Sequence, residues 1–402
     1  MRGYAHVIKE DLVNPQLLFL GTEFGLYISV DGGQHWARFK GGNMPPVAVR
    51  DLAIHPRDDD LVIATHGRGI WIVDNITPLR KLTPATVAHG GAFVETKPVV
   101  QVLSVFGGWA NGDAEYVGAN PAGDAPITYY LQKRHIFGDM KLEVFDSAGK
   151  LVQTLPTGKR RGLSRTAWSM RMTPPRVPTA ASAAFVVGPR FLPGRYTVKL
   201  TEGDSVYSTT LRVVGDGRVS HAAADRAAQF KLAVTLYGLL NQMTTVVDRM
   251  NDVRGSLDDR GTGLAMLDTL RQALQRGSAQ VDTMRKKIVA TKEGGAVTGE
   301  ERLREHADIL YGALQSWEGR PAAYQLERID TLGRELDDVA KEVDAVIGTE
   351  LPAFNDELKR RRLQPVALAA ASGAPASIEQ GGFPLLAPAR DAFGLGREDR
   401  FD

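Results

Sequence analysis

The sequence predicts a multidomain chain. The first part is all-β, with partial β-propeller blades and an Ig-like β-sandwich, and an α-helical bundle follows. Three observations predict this order. Residues up to about Val214 are rich in Gly, Pro, Val, Thr and aromatic side chains, in short runs of period two. Within that part a unit recurs after about 43 residues, the repeat length of a four-stranded blade. From about Ser220 to Leu363 the composition shifts to Ala, Leu, Glu, Arg, Asp and Gln at helical spacing.

Residues 1–82 hold the repeat. "VNPQLLFLGTEFGLYIS" is followed by "IHPRDDDLVIATHGRGIWIV", which aligns Thr22 with Thr65. Each copy has an Asn or His before Pro, a polar turn, an apolar run ending in Thr, a break, and then Gly-[Leu or Ile]-[Tyr or Trp]-Ile. The Pro ends a turn, the apolar run is a buried strand, and the Gly opens the next strand of the same sheet. Between the copies lies "SVDGGQHW". Asp31 is placed to accept backbone N–H bonds across a turn, Gly32 and Gly33 permit positive φ, and the Trp36 ring buries apolar area under the hairpin.

Residues 83–125 read as a linker. Residues 126–214 read as the sandwich. "KLEVFDSAGKLVQTL" is two alternating strands about Asp146–Gly149, and "GRYTVKLTEGDSVYSTTLRVV" is another pair about Glu202–Asp204. The inward candidates are Leu142, Val144, Val152, Leu155, Trp168, Tyr196, Val198, Leu200, Leu211 and Val213.

Residues 219–363 read as three or four antiparallel helices. Phe230, Val234, Leu236, Tyr237, Leu240 and Met243 make an apolar stripe, and "GTG" breaks the first helix. Thr298 and Glu301 have capping-box spacing. Leu326, Ile329, Leu332, Leu336, Val339, Val343 and Val346 form a near-heptad seam. Residues 364–402 are Ala-, Gly- and Pro-rich and read as a flexible tail.

Composition narrows the function classes. A formal charge of +2 gives no pull toward nucleic acid or an anionic surface. The absence of Cys excludes disulfides, thiolate metal sites and a Cys nucleophile. No apolar run reaches the length of a membrane span, and "MRGYAHVIKEDLVNP" has no apolar core of a signal peptide. The abrupt start in a strand-like run is how an internal piece of a longer protein would look. The eight His show no paired metal-ligand spacing, so no metal or cofactor is expected. The run Lys159–Arg161 falls in a sandwich loop. The run Lys359–Arg362 ends a helix, where cations suit the helix dipole.

Ser29, Asp31, Gly33 and Trp36 match the Asp-box pattern Ser-x-Asp-x-Gly-x-x-Trp in full. Together with "VRDLAIHP", "LVIATHGRGIWIVDNITPLR", "LPGRYTVKL" and "LPAFNDELKRRRLQPV", the chain from about Tyr4 to Val366 resembles the C-terminal part of bacterial sortilin N-terminal-domain-like, or BNR-repeat, propeller proteins, often described as glycosyl hydrolases. The resemblance implies further blades upstream and an exported parent, periplasmic or extracellular. It also implies a glycan or a peptide as ligand.

Hydrolysis of a glycoside needs two carboxylates across one sugar. The acidic candidates near strand ends are Glu23, Asp31, Asp51 and Asp74. Asp31 has a sufficient local role in its turn. Glu23 is either a solvated loop carboxylate or one wall of a site. "THGRGIW" puts His66 and Arg68 in the equivalent loop of the second copy, between glycines that leave room for a carboxylate or phosphate. No Gly-x-Ser-x-Gly, His-Glu-x-x-His or phosphate-cradling loop occurs. The expected role is therefore non-catalytic, structural and interaction-bearing. A glycoside hydrolase with its other catalytic residues upstream is the alternative, and a sortilin-like peptide binder a weaker one.

Overall fold

The computed structural model describes residues 3–41, 44–94, 97–103, 123–182, 184, 187–218, 221–292 and 300–366. Antiparallel sheets occupy the first part and the long helices the second, and among the described residues no sheet closes into a barrel. The chain divides into two compact units. One comprises residues 1–170 and 193–216 of the described chain, the other residues 171–192 and 217–366.

In the first unit, β1 (Ala5–Glu10), β2 (Leu18–Thr22), β3 (Gly25–Ser29) and β4 (Ala37–Arg38) form one sheet in that order. β5 (Val49–Ile54), β6 (Leu61–Thr65) and β7 (Ile70–Val73) form a second sheet of three strands. Each apolar run of the repeat becomes an interior strand, β2 or β6. Both sheets carry the same irregularity: the register slips between Ala5 and Val7 in β1, and between Val49 and Asp51 in β5. The bulged residues are His6 and Arg50.

One face of each sheet packs against the other in a common core. It contains Phe19, Leu26, Val49, Leu52, Ile54, Leu61, Ile63 and Val73, with Val7, Ile28 and Trp71 at its edge. Full burial of each large side chain stabilises by about 1.5–3 kcal/mol. Gly21 sits so close to Val49 that a Cβ there would meet its side chain at 2.7 Å.

A buried ionic cluster ties the two sheets together. After β7 the chain turns into α1 (Thr77–Arg80) rather than a fourth strand. Arg80 at its end makes two 2.8 Å bonds to the buried Asp11 carboxylate after β1, and a third 2.8 Å contact to Asp59 before β6. Lys97 also pairs with Asp59. Burial pushes the Asp11 carboxyl up, but Arg80 and the N–H groups of Asn14 and Val13 outweigh it and hold the group below its ordinary 3.8.

The stretch 83–125 contains α2 (Pro84–Ala88), β8 (Gly91–Phe93) and β9 (Val99–Gln101). Six more strands follow. β10 (Ala125–Leu131), β11 (Met140–Phe145), β12 (Leu151–Leu155), β13 (Gly162–Trp168), β14 (Gly194–Glu202) and β15 (Ser205–Gly215) divide between two sheets. One has the order β12-β11-β14-β15-β9, with β9 joining in parallel; the other has the order β13-β10-β8. The expected inward residues are buried, except Val152, which is half-buried. Trp168 is fully buried, donates from Nε1 to Gln153, and meets Tyr196 edge to face at 4.9 Å.

The second unit holds α3 (Ala223–Thr262), α4 (Thr269–Ile288), α5 (Leu303–Gln315) and α6 (Ala323–Arg360). α3 ends at the expected Gly-rich break. Three expectations change. Thr298 lies outside the described residues, and α5 begins at Leu303, where the Glu305 carboxylate accepts the Arg302 N–H at 3.2 Å. In α6 the seam runs through Gln325, Ile329, Leu332, Leu336, Val339, Val343 and Ile347, while Leu326 is 48% exposed. Gln325 takes the first inward position because its side chain caps the Ala322 N–H at 2.9 Å. Only residues 364–366 of the expected tail are described.

The segment 171–192 belongs with the helices. Arg171 and Arg190 form a β-bridge, and Gly188 lies against the Met172 backbone so tightly that a Cβ would come within 1.8 Å of its carbonyl oxygen. Tyr311 donates to the Val187 carbonyl, Ser182 donates to Glu305 at 2.7 Å, and Arg190 pairs with Glu318 at 2.8 Å. Burial, then the neighbouring Arg226, lowers the Arg190 guanidinium to about 10.

Candidate functional site

Two equivalent loops lie at corresponding ends of the first two sheets. Thr22 pairs with Ala5 and Thr65 with Val49, so the loops 23–24 and 66–68 leave from the same end as the starts of β1 and β5. Contact of Gly21 with Val49 brings those ends together. Both loops are closed alike. The Thr22 hydroxyl donates to the Gly25 carbonyl at 2.9 Å, and the Thr65 hydroxyl donates to the Gly69 carbonyl at 2.5 Å.

Glu23 is held by the strand before it. Its carboxylate accepts the Tyr4 N–H at 3.2 Å, and its own N–H donates to the Tyr4 carbonyl. His66 is exposed, with its N–H donating to the Ala48 carbonyl. Arg68 is exposed and folds back on its own loop: Nη1 donates to the Gly67 carbonyl at 3.3 Å, and Trp71 Nε1 donates to the Arg68 carbonyl at 3.0 Å. Gly67 and Gly69 have φ of 74° and 73°, with open space where a Cβ would lie. Among the described residues no ion pair joins Glu23 to Arg68.

The structure adds two residues to this end that the sequence reading omits. Arg50 Nη1 lies 3.4 Å from both ring nitrogens of His6. The two are the bulged residues of the two repeats, and both face out of their strands for that reason. The only signal in the sequence is their spacing, which matches that of Thr22 and Thr65 to within one residue.

The Asp-box turn sits at the other end. Ser29 is buried; its hydroxyl donates to Asp31 Oδ1 at 2.7 Å and accepts the Gly33 N–H at 2.9 Å. Asp31 Oδ1 also accepts the His35 N–H at 2.9 Å, and Oδ2 lies 2.7 Å from His35 Nδ1. The His35 backbone bond, then the Ser29 hydroxyl, lowers the Asp31 carboxyl to about 2. Gly32 and Gly33 have φ of 69° and 90°, and the Trp36 ring lies 3.5 Å from where a Gly33 Cβ would be.

A surface cleft of about 320 Å³ opens beside this turn, lined by Asn14, Gln16, Asp31, Gln34, His35 and Pro84 among others. Glu23 and Asp31 therefore lie at opposite ends of β3. A strand of that length spans roughly 13 Å, beyond the ~5–9.5 Å that separates a glycosidase carboxylate pair.

The remaining acidic candidates are placed separately. Asp51 follows the bulge in β5, and its carboxylate accepts the Leu52 N–H at 2.8 Å. Asp74 follows β7, at the far end from Arg68; burial and the nearby Asp60 raise its carboxyl. Among the described residues no group of three His, Asp or Glu side chains could hold a metal ion, and no helix is long and apolar enough to cross a membrane. No family model and no curated protein matches the chain.

Proposed function

We propose that the chain is the structural and interaction-bearing portion of a larger exported protein of β-propeller type. In this reading the first two sheets are successive blades, the sheets of β8–β15 are an Ig-like sandwich, and the chain itself is non-catalytic. The observation that carries the reading is the repeat at the level of atoms. Two units of nearly equal length share a bulge near the start of the first strand and a Thr-locked loop after the second. Ligand-binding groups of such scaffolds sit on loops held by a rigid sheet. The loop end offers an exposed guanidinium at Arg68, an exposed imidazole at His66 and the His6–Arg50 pair. This set suits the carboxylate of a peptide terminus or an acidic glycan.

The test is Arg68→Ala, with thermal stability and binding to a glycan and peptide panel measured together. The expected result is lost binding at unchanged melting temperature. Unchanged binding to every ligand of the panel overturns the ligand assignment.

A further inference from the structure

Three connections leave one end of the β10–β15 sheets. β10 ends at Leu131 opposite Gly162, where β13 begins, and β11 begins at Met140 opposite Glu202, where β14 ends. Leu155 closes β12 opposite Leu142, near the start of β11. Loop 132–139, loop 156–161 and the turn at Gly203–Asp204 therefore share that end.

The three are tied together. The His135 N–H donates to the Lys159 carbonyl at 3.0 Å, and the Gly203 N–H donates to the Asp139 carbonyl at 3.3 Å. The His135 ring bridges two partners, with Nδ1 3.4 Å from Glu202 and Nε2 3.2 Å from the Gly138 carbonyl oxygen. Gly138 turns the loop back with a φ of 87°, which a side chain would strain.

This brace presents an apolar tip. Ile136 is 66% exposed and Phe137 86%. Lys133, Arg134, Lys159, Arg160 and Arg161 lie on the two joined loops, and all are exposed. Among the described residues Lys133, Arg134 and Arg161 enter no ion pair. Asp139, Glu202 and Asp204 share this end, so five cations against three carboxylates leave an excess of two positive charges. A formal charge of +2 over the whole chain hides this grouping. An exposed apolar side chain alone needs no explanation. Met266 and Leu267 before α4 are another exposed pair, but the charges beside them satisfy each other, Arg361 lying 2.8 Å from Asp268.

We propose that loop 132–139 docks the chain on an anionic bilayer surface. Ile136 and Phe137 enter the boundary between headgroups and acyl chains, and the cations lie among the headgroups. Two features favour a bilayer over a protein partner. A tip of two side chains offers far less than the ~800 Å² per partner of a stable protein interface. Long Lys and Arg stems also let the charges stay in the polar layer while the tip goes deeper. The inference is independent of ligand binding at Arg68.

The experiment uses the full chain and large vesicles, of phosphatidylcholine alone or mixed with phosphatidylglycerol, with bound protein measured by co-sedimentation. Binding is expected on the anionic vesicles only, and it should weaken as salt rises. Phe137→Ser and Arg134→Glu should each weaken it by about tenfold or more, whereas Leu267→Ser should not. Melting curves check that each variant folds.

Insertion has its own readout. The sequence contains no Cys, so Ile136→Cys accepts a single polarity-sensitive label. Its emission should move to shorter wavelength on anionic vesicles, and the same label on Leu267→Cys should not respond. Equal binding to neutral vesicles, binding to neither kind, or an unshifted label at position 136 overturns the proposal. So does a loss with Leu267→Ser equal to that with Phe137→Ser. Capture by soluble polyglutamate while vesicles are ignored also overturns it, and marks the loop as a site for an acidic protein instead.

Discussion

At Asp31 both carboxylate oxygens are engaged inside one turn, and this fixes the sign of its pH dependence. The folded-state value of about 2 lies below the ordinary 3.8. A depressed carboxyl contributes stability that is complete above the unfolded value and is lost as pH falls through the folded one. Asp31→Ala should lower the melting temperature at neutral pH without altering ligand binding. The gap between wild type and variant should stay constant above about pH 5 and close between about pH 4 and 2, as read from melts across that range. A gap that persists below pH 2 would contradict the assignment.

Gly188 gives a second test at this scale. A methyl group there would strike the Met172 carbonyl, so Gly188→Ala should destabilise by about 1–3 kcal/mol or more in a urea titration. The two residues differ in how far the sequence reveals them. Asp31 is legible because its partners lie within four positions. Gly188 is not, because the backbone that crowds it is brought in by a β-bridge rather than by local spacing.

The same contrast separates whole elements. The strands of the two repeats were readable because alternation, Thr and Gly recur in register. The bulges were not, since a bulge is a property of strand pairing and leaves no mark in composition. In α6 the heptad was readable, but its first inward position was not. Leu326 has the larger apolar side chain, yet Gln325 takes the inward place because it caps the helix start. Cap geometry decided over hydrophobicity by one residue. The Asp11–Arg80–Asp59 cluster was invisible for a different reason: its members are 69 and 21 residues apart. Arg80→Met leaves the Asp11 carboxylate buried without its cation. The expected cost is about 3–5 kcal/mol. Acid unfolding should also shift to higher pH, because Asp11 loses the partner that holds its carboxyl low. Calorimetry at several pH values checks both, and an unchanged acid midpoint would remove Arg80 from that role.

For the chain as a whole, the two compact units set the expectation. Calorimetry should resolve two transitions. Leu336→Ala, at a fully buried position of the α6 seam, should lower one of them by about 2–5 kcal/mol and leave the other in place. A single transition shifted as a whole would show that the units unfold together. The change of texture near residue 217 was plain in the sequence, but the assignment of residues 171–192 to the helical unit was not. The sequence reading places that stretch inside the sandwich of residues 126–214, because its partners Glu305, Tyr311 and Glu318 lie far downstream. This order has a consequence for biosynthesis. On a ribosome the segment 171–192 is made well before any helix it belongs with, and at ~5–20 residues per second its partners follow on the order of ten seconds later. During that interval Val177, Ala180 and the Arg190 guanidinium are without their final neighbours. A nascent chain stalled after residue 216 should therefore protect its strands from protease while remaining open to cleavage between 171 and 192, and translation through α5 should close that window.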